Sequence, residues 1–409
     1  MRIRLTVTRG NRARQAAWLA AGVTVLAVAA AAAPSALAET PAAQGGAQLG
    51  GHGIVVNYPA HGGRKLPHVP ADAYVIADAT TGQVLAAKNP HRHLAPASTL
   101  KILTTDTLMP VLNPDQPVVT SKFAADAEPS KVGLIQGRSY QVHDLFKALL
   151  LISANDAAIA LAQATGSYDK GVAMMNTEAR HLQADETVAR TPNGLPAKGQ
   201  YSSAYDLALF ARQALTMPQF MKIEAMQVTT FPLHARHSVK LWNQNLMLGS
   251  YPGDIGGKIG WTTASEATFI GWAQRGGHTL IVTIMHCIPL TEMTYAAKLL
   301  TWGFAMDGHV RPVGVLVPPL ATRAAPHLPA PAHSAAHTRA AHTRAAHTGT
   351  APTGAAPTQA AAHRVAGKAK ATSAPAVPVA AIAGLVVALV LVLLVAVRRP
   401  RRGGSPPGP

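Results

Sequence analysis

The sequence predicts a mixed α/β domain in which one sheet is covered by helices. Segments of strand-like composition lie near both ends of the central region, at 73–87 and 256–288, and the sequence between them has helical spacing. Strands from both ends of a chain, with helices between them, assemble into one sheet with helices packed on it. The central region 68–317 is also balanced in charge, with 19 Lys/Arg and 18 Asp/Glu. One conventional folded domain is therefore expected there.

The individual elements follow from apolar spacing and turn residues. The segments before and after Thr81-Gly82 are β-rich, and this pair supplies a hairpin turn. Pro96 favours the start of a helix, because proline is preferred in a first turn. The complete prediction is strands at 73–79, 83–87, 256–259, 266–274 and 278–288, and helices after 96 and at 143–163, 171–182, 203–215 and 295–304.

The N-terminus has the layout of a cleavable secretory signal. Five arginines precede an Ala/Val/Leu-rich run at 16–33, and Ala36-Leu37-Ala38 supplies small residues before Glu39. A basic region, an apolar run and small residues at the cleavage point are the parts of a signal peptide. Residues 1–38 are therefore predicted to be removed on export, with an uncleaved anchor as the alternative. Residues 39–67, rich in Gly, Ala and Pro, are predicted to be a flexible leader.

The C-terminal part predicts a tether and a membrane anchor. Residues 318–376 are rich in Ala, Pro, Thr and His, with too few large apolar side chains to offset ordering entropy, so they predict a disordered linker. Residues 377–397 form an uncharged apolar run long enough for a helix to cross the bilayer. Arginines begin the tail 398–409, which the positive-inside rule places in the cytoplasm. We expect a single-pass protein of the cell membrane with its folded domain outside.

Charge and cysteine content exclude other classes. The formal net charge is +17, but the excess lies in the flanks, so a nucleic-acid-binding domain is not expected. The single cysteine, Cys287, excludes an intramolecular disulfide and lies in an apolar run, which predicts a buried thiol rather than a nucleophile. The evenly spaced histidines of the linker have no Cys or carboxylate partners, so they are a poor candidate for a metal site.

Three short motifs carry side chains suited to nucleophilic catalysis. Ser98-Thr99-Leu100-Lys101 places a hydroxyl and an amine on one face of a helix, near an N-terminus that favours developing negative charge. Ser153-Ala154-Asn155 follows a buried run, and Lys258-Ile259-Gly260 lies among glycines that allow a peptide to approach an edge strand. Each motif alone is also explained as a cap or a loop. Their joint occurrence in this order is improbable by chance.

In this order the motifs resemble the Ser-x-x-Lys, Ser-x-Asn and Lys-Thr-Gly set of penicillin-binding proteins and β-lactamases. Over about residues 68–317 the chain resembles the serine D-alanyl-D-alanine carboxypeptidase family, also through the runs at 78–85, 96–101, 155–158, 191–195 and 205–208. The resemblance implies the fold of the DD-peptidase and β-lactamase type, an antiparallel sheet covered by helices with a helical subdomain. It also implies that no metal or organic cofactor is needed. The family's separate β-rich C-terminal domain has no counterpart in this sequence.

The resemblance also implies a reaction and a set of roles. The reaction is hydrolysis of the terminal D-Ala of peptidoglycan stem peptides through an acyl-serine, with β-lactam antibiotics as inhibitors. Ser98 would attack, Lys101 would activate it, and Ser153 with Lys258 would relay a proton to the departing D-Ala. A lysine acts as a base only when burial or another cation lowers its pKa from about 10.4, and Lys258 is the natural second cation. The substrate-binding residues implied are Asn155 for the acyl portion, Ile259, Gly260 and Thr262 on the strand, and Trp261, whose backbone N–H would form the oxyanion hole with that of Ser98.

The sequence departs from the family pattern at Ile259, where the family usually has Thr or Ser. In the family that hydroxyl helps to bind the terminal carboxylate of the substrate, and isoleucine has no donor. Losing a hydrogen bond to a charged group costs about 1.5 to 3 kcal/mol, or one to two powers of ten in efficiency. We hypothesise that Thr262 or Thr263 replaces part of this contact.

Other functions remain open at this point. A class A β-lactamase would add a glutamate followed by Leu-Asn to activate the deacylating water, and no such run follows Asn155, so slow deacylation of penicillin is expected. A DD-endopeptidase would use the same acyl-enzyme with a different leaving group. A weakly active or non-catalytic peptidoglycan-binding homologue is a third reading, because of Ile259.

Overall fold

The computed structural model describes residues 43–321, which form one continuous stretch of chain. In chain order the strands are β1 (Ile54–Val56), β2 (Ala71–Asp78), β3 (Gln83–Lys88), β4 (Pro117–Val119), β5 (Ser139–Gln141), β6 (Val228–His234), β7 (His237–Trp242), β8 (Asp254–Thr262), β9 (Glu266–Arg275), β10 (His278–Cys287) and β11 (Gly314–Val315). The helices are α1 (Lys101–Leu108), α2 (Lys122–Ala125), α3 (Val142–Leu151), α4 (Asn155–Gln163), α5 (Tyr168–His181), α6 (Ala204–Ala214), α7 (Pro218–Glu224) and α8 (Glu292–Met306).

The main sheet is antiparallel and buried on both faces. Its strand order is β1-β3-β2-β10-β9-β8, and β11 also pairs with β3. In β2, Val75 and Ala77 belong to the apolar core that includes α1 and α3 to α6, whereas Tyr74 and Ile76 belong to the core on the α8 side. Strands with an apolar layer on each face have no polar side, which explains their nearly continuous apolar sequence. The prediction of an antiparallel sheet covered by helices is confirmed.

The helical subdomain comes from the chain between β3 and β8. Helices α5 and α6 lie where apolar spacing predicted them, and each begins at a serine cap. Ser167 Oγ accepts from the Lys170 backbone N–H at 3.1 Å, and Ser203 Oγ accepts from the Asp206 N–H at 3.0 Å. These contacts satisfy backbone donors that have no partner inside the helix. Helix α7 and the hairpin β6–β7 were not predicted.

The single helix predicted over 143–163 is wrong. Helix α3 ends at Leu151 and α4 begins at Asn155, and the chain between them turns at Ser153, whose φ of 61° lies in the left-handed region. The turn is held by a hydrogen bond from the Asn155 N–H to the Ser130 carbonyl at 2.7 Å. The apolar spacing continues across the break, so it could not reveal a turn that a distant segment imposes.

The prediction of a flexible leader over 39–67 is also wrong for its described part. Strand β1 pairs with β3, Leu49 is 1% exposed, and the Val315 N–H donates to the Gly45 carbonyl at 2.8 Å. The Gly/Ala/Pro content indicated a loop, but Ile54-Val55-Val56 supplies strand-forming side chains and Leu49 an apolar anchor. The folded part therefore starts well before residue 68.

The other terminal predictions fall outside the described residues. The signal at 1–38, the linker from residue 322 onward, the membrane segment 377–397 and the tail 398–409 belong to this group. Among the helices at 43–321, none has the length and apolar character needed to cross a bilayer.

Candidate active site

A cleft lies where the helical subdomain meets β8, the edge strand of the main sheet. Its volume is about 610 Å³. Ser98 comes from the turn before α1, and Ser153 and Asn155 come from the break between α3 and α4. The remaining lining residues are Glu128, Pro129, Ser130, Leu195, Pro196, Gln244, Ile259, Gly260, Trp261, Thr262, Thr263 and Ala264. All three motifs predicted from the sequence thus meet at one cleft.

Ser98 and Lys101 are joined by a tight helical turn. Residues Ala97–Leu100 form a 3-10 helix that continues directly into α1. In a 3-10 helix the side chains at positions i and i+3 eclipse one another, so the amine lies against the hydroxyl. Lys101 Nζ is 2.8 Å from Ser98 Oγ. Ser98 is half-buried and faces the cleft, whereas Lys101 lies beneath the wall and is 0% exposed.

Burial sets the protonation of Lys101. It lowers the pKa of the amine well below its ordinary value, and the nearby Lys258 cation lowers it further, while Asp156 acts in the opposite direction. Two carbonyl oxygens, Asn155 Oδ1 and Asn193 O, each accept from Nζ at 2.8 Å. A neutral amine has two hydrogens and one lone pair. With its hydrogens on these two acceptors, the lone pair is directed at Ser98.

The break between α3 and α4 delivers Ser153 and Asn155 to the cleft. Ser153 is 5% exposed and lines the cavity. The Asn155 side chain is held at both ends, since Oδ1 accepts from Lys101 and Nδ2 donates to the Glu128 carbonyl at 2.9 Å. Asn155 therefore orients the base in addition to lining the wall where the acyl portion of a substrate is predicted to bind.

Lys258 belongs to β8, but its side chain is buried and does not line the cleft. It is 1% exposed, and its amine donates to the Ile259 carbonyl at 2.8 Å. Burial lowers the pKa of Lys258 to about 7, against the attraction of Glu224. This places an amine that titrates near neutral pH next to the base, as a proton relay requires. No hydrogen bond joins Lys258 to Ser153 in this structure, although the family resemblance implies that these two residues relay a proton together.

The end of β8 forms one wall of the cleft. At Gly260 a Cβ atom would lie 2.8 Å from the Ser98 backbone nitrogen and 2.4 Å from Thr268 Oγ1, so only glycine lets the strand approach the nucleophile so closely. Trp261 is 61% exposed at the rim, and Ile259 lines the cavity while packing against the α8-side core. No hydroxyl stands at position 259.

The two threonines proposed to compensate for Ile259 differ in their surroundings. Thr262 Oγ1 lies 2.7 Å from Ser265 Oγ and accepts from the Ser265 N–H at 3.0 Å, which closes the β8–β9 turn. Thr263 is exposed and lines the cleft. Thr263 is therefore the better placed of the two to contact a ligand.

Sequence reasoning assigned no role to two residues that support the base. Asn193 accepts from Lys101 through its backbone carbonyl, and the run 191–195 was noted only as part of the family resemblance. Asp156 is 0% exposed, and its carboxylate accepts the backbone N–H groups of Val132, Gly133 and Leu134 at 3.0, 2.8 and 2.9 Å. It thereby fixes the loop that carries Ser130 along the cleft.

Two other groups of reactive side chains lie away from this chemistry. Cys287 is buried, as predicted, and burial raises the pKa of its thiol to about 12. Asp78, His278 and Asp307 bring potential metal-ligating atoms within 4.8 Å of one another, at the opposite end of the sheet from Thr262. His278 Nδ1 is 3.0 Å from Asp307 Oδ2, so a direct contact between two of the three side chains is already formed.

Comparison with known proteins places this site in a family context. The family described as D-alanyl-D-alanine carboxypeptidase matches residues 61–288. The D-alanyl-D-alanine carboxypeptidase DacB2 of Mycobacterium tuberculosis is 38% identical over 252 residues, which cover 60% of this chain and 86% of the relative. DacF of Bacillus subtilis, another D-alanyl-D-alanine carboxypeptidase, is 31% identical over 252 residues, covering 59% of this chain and 64% of the relative.

The fold is also similar to solved structures of a carboxypeptidase and a transpeptidase. The crystal structure of a D-alanyl-D-alanine carboxypeptidase from Mycobacterium tuberculosis is 38% identical, with a TM-score of 0.60, and the match covers 63% of this chain and 99% of that one. A mutant of a Streptomyces DD-transpeptidase is 26% identical, with a TM-score of 0.56, and the match covers 58% of this chain and 99% of that one.

Substitution of Lys258 by glutamine tests its effect on Lys101. The Lys258 cation lowers the Lys101 pKa, so its removal raises that pKa and leaves less neutral amine at a given acidic pH. The acid limb of the pH profile for acylation of Ser98 by a penicillin is expected to move to higher pH. Lys240→Gln, at an exposed lysine on β7, is the matched control and should leave the profile in place. A Lys258→Gln profile that coincides with the control would contradict the coupling.

Proposed function

The chain belongs to the D-alanyl-D-alanine carboxypeptidase family of serine peptidases, and from this premise we propose that it removes the terminal D-Ala of peptidoglycan stem peptides. One observation supports the proposal most directly. The buried Lys101 amine lies 2.8 Å from Ser98 Oγ and from two carbonyl oxygens, which is the arrangement of a neutral base beside a nucleophile.

The first half of the reaction acylates Ser98. Lys101 takes the hydroxyl proton as Ser98 Oγ attacks the carbonyl carbon of the penultimate D-Ala. The oxyanion that forms is bound by the backbone N–H groups of Ser98 and Trp261, each such donor being worth about 3 to 4 kcal/mol. Collapse breaks the peptide bond, and Ser153 with Lys258 delivers a proton to the departing D-Ala amine. Because Lys258 bonds the Ile259 carbonyl before substrate arrives, its amine turns toward Ser153 during this step.

The second half returns the enzyme to its starting state. Lys101 first passes the proton that it took from Ser98 through Ser153 to Lys258, which leaves Lys101 neutral again. Water then attacks the acyl carbon and gives a proton to Lys101, and Lys101 transfers this proton to Ser98 Oγ as the shortened stem peptide leaves. An extended peptide lying along the free edge of β8 presents its carbonyl to the Ser98 turn, since Gly260 brings the strand against that turn. A β-lactam enters the same path, and its acyl-enzyme is expected to deacylate slowly.

Release of free D-Ala tests the reaction directly. The exported chain, incubated with a peptide that ends in D-Ala-D-Ala, is expected to release D-Ala, and Ser98→Ala is expected to abolish release because no acyl-enzyme forms. Assay of free D-Ala, together with penicillin labelling, is the measurement. Absence of release from a protein that still acylates Ser98 would overturn the carboxypeptidase proposal in favour of endopeptidase or wall-binding function.

Ile259 provides a second test, of substrate-carboxylate recognition. Ile259→Thr is expected to raise kcat/KM for the D-Ala-D-Ala peptide by about ten- to a hundredfold, the value of one hydrogen bond to a charged group. Ile259→Val has a similar branched shape without the hydroxyl and should give no such gain. Equal kinetics of the threonine and valine variants would show that position 259 does not contact the carboxylate.

We also propose that the domain acts outside the cell, held at the membrane by residues 377–397. The signal-like N-terminus, the 377–397 run and the arginines after it support this topology. In cell fractions, the full chain is expected in the membrane, and protease added to intact protoplasts should degrade the domain at 43–321. A truncation ending before residue 377 is expected to be released. Retention of the truncated chain in the membrane would exclude this anchor.

A further inference from the structure

We propose that Glu128, on the subdomain wall of the cleft, is a specificity-determining residue that binds a cationic group on the acyl portion of the substrate, such as the side-chain amine of a diamino acid. This inference rests on the proposed function, because it names the stem peptides that the same site prefers. Of the described residues that line the cleft, Glu128 alone has a charged side chain. A single negative charge on the wall favours ligands that bring a positive one.

The backbone of Glu128 is fixed to the catalytic residues. Its carbonyl accepts from Asn155 Nδ2 at 2.9 Å, and the other end of the same amide, Oδ1, accepts from Lys101 Nζ at 2.8 Å. Two residues farther along the chain, the Ser130 carbonyl accepts from the Asn155 backbone N–H at 2.7 Å. This segment is therefore bonded at both ends to the residue that orients the base. Glu128 has a defined position relative to Ser98 as a result.

The side chain of Glu128 is available to a ligand. It is exposed, and in the described part of the chain no ion pair holds its carboxylate. The cations closest to it in sequence have other contacts, since Lys122 pairs with Asp126 and Lys131 Nζ donates to a backbone carbonyl at 3.1 Å. An exposed acid elsewhere on the surface would only be solvated. This one lines the space that the substrate occupies.

The position of Glu128 also fits the direction in which the peptide is predicted to bind. The terminal carboxylate of the substrate is predicted to lie near Ile259 and Thr263, at the end of β8. Glu128 is bonded instead to Asn155, the residue predicted to contact the acyl portion. Its negative charge repels the terminal carboxylate and attracts a cation on the acyl side. Both effects favour the orientation that presents the scissile carbonyl to Ser98.

Stem peptides supply a cation close to the scissile bond. A diamino acid directly precedes the D-Ala-D-Ala end, and its side chain ends in an amine that is free in an uncross-linked stem and is an amide in a cross-linked one. Each residue of an extended peptide spans about 3.3 Å, so this side chain starts one residue away from the D-Ala whose carbonyl is attacked. Recognition of the amine by Glu128 therefore favours stems that have not been cross-linked through it.

Two peptides that differ only in this amine test the inference. They are Nα-acetyl-lysyl-D-Ala-D-Ala and its Nε-acetyl derivative, and the measurement is the ratio of their kcat/KM values for D-Ala release. The wild-type ratio is expected to favour the free amine about two- to fivefold at low salt, the range of a partly exposed ion pair, and to decline at high salt. Glu128→Gln keeps the size of the side chain and should abolish the preference, and Glu128→Lys should reverse it.

The ratio isolates recognition of charge from any general loss of activity, because both peptides meet the same nucleophile and base. Asp185→Asn, at an exposed acid that does not line the cleft, is the matched control and should keep the wild-type ratio. Equal ratios for wild type and Glu128→Gln would overturn the inference. A wild-type enzyme without preference for the free amine would do the same.

Acylation by penicillins separates this inference from the proposed function. A penicillin with an amine on its acyl side chain, compared with one that lacks it, is expected to have a larger relative rate of Ser98 acylation in wild type than in Glu128→Gln. If neither peptide released D-Ala, the carboxypeptidase proposal would fail and the acylation ratio would decide for Glu128. An acylation ratio unchanged by Glu128→Gln would then contradict its role.

Discussion

Burial of the Lys101 amine is the constraint on which the rest of the site depends. An ammonium group at that position would have to leave water without a counter-ion in hydrogen-bond contact, so the amine is forced toward its neutral form. A neutral buried amine still needs acceptors, and the chain provides them from two distant segments, through Asn155 and Asn193. The α3–α4 break and the loop at 191–195 therefore have to converge on one atom. Because they converge there, these two segments also form one wall of the cleft.

Close packing also determines the sequence of β8, the strand on the other side of the cleft. Three glycines of β8 leave room for neighbours that a side chain would displace: Glu224 beside Gly256, Phe269 beside Gly257 and the Ser98 turn beside Gly260. The side chains between Gly257 and Gly260 are Lys258, which is predicted to relay a proton, and Ile259, which lines the cleft. These three glycines thus let a single edge strand line the cleft and also pack against buried side chains on its other contacts.

Local sequence predicted the parts of this protein that local forces determine. The antiparallel core strands, α5, α6 and the Ser98–Lys101 turn follow from apolar spacing and from residues three apart. The break at Ser153 does not, because the apolar pattern runs through it and the turn is fixed by Ser130, more than twenty residues earlier. Leu49 and β1 were hidden by Gly-rich neighbours. Glu128 was missed because an exposed acid in a loop is usually only solvated, and only the fold shows that it lines the cleft.

The two ends of the described chain meet on one strand. β1 pairs with residues 86–88 of β3, β11 pairs with residues 83–84 of the same strand, and Val315 bonds directly to Gly45. Strand β3 is separated from the catalytic edge by β2, β10 and β9, which at about 4.8 Å per step places it about 19 Å from β8. Mechanical load applied through either terminal segment is therefore taken up at β3. The catalytic edge β8 lies four strand positions from β3 and therefore outside the direct path between the two terminal contacts.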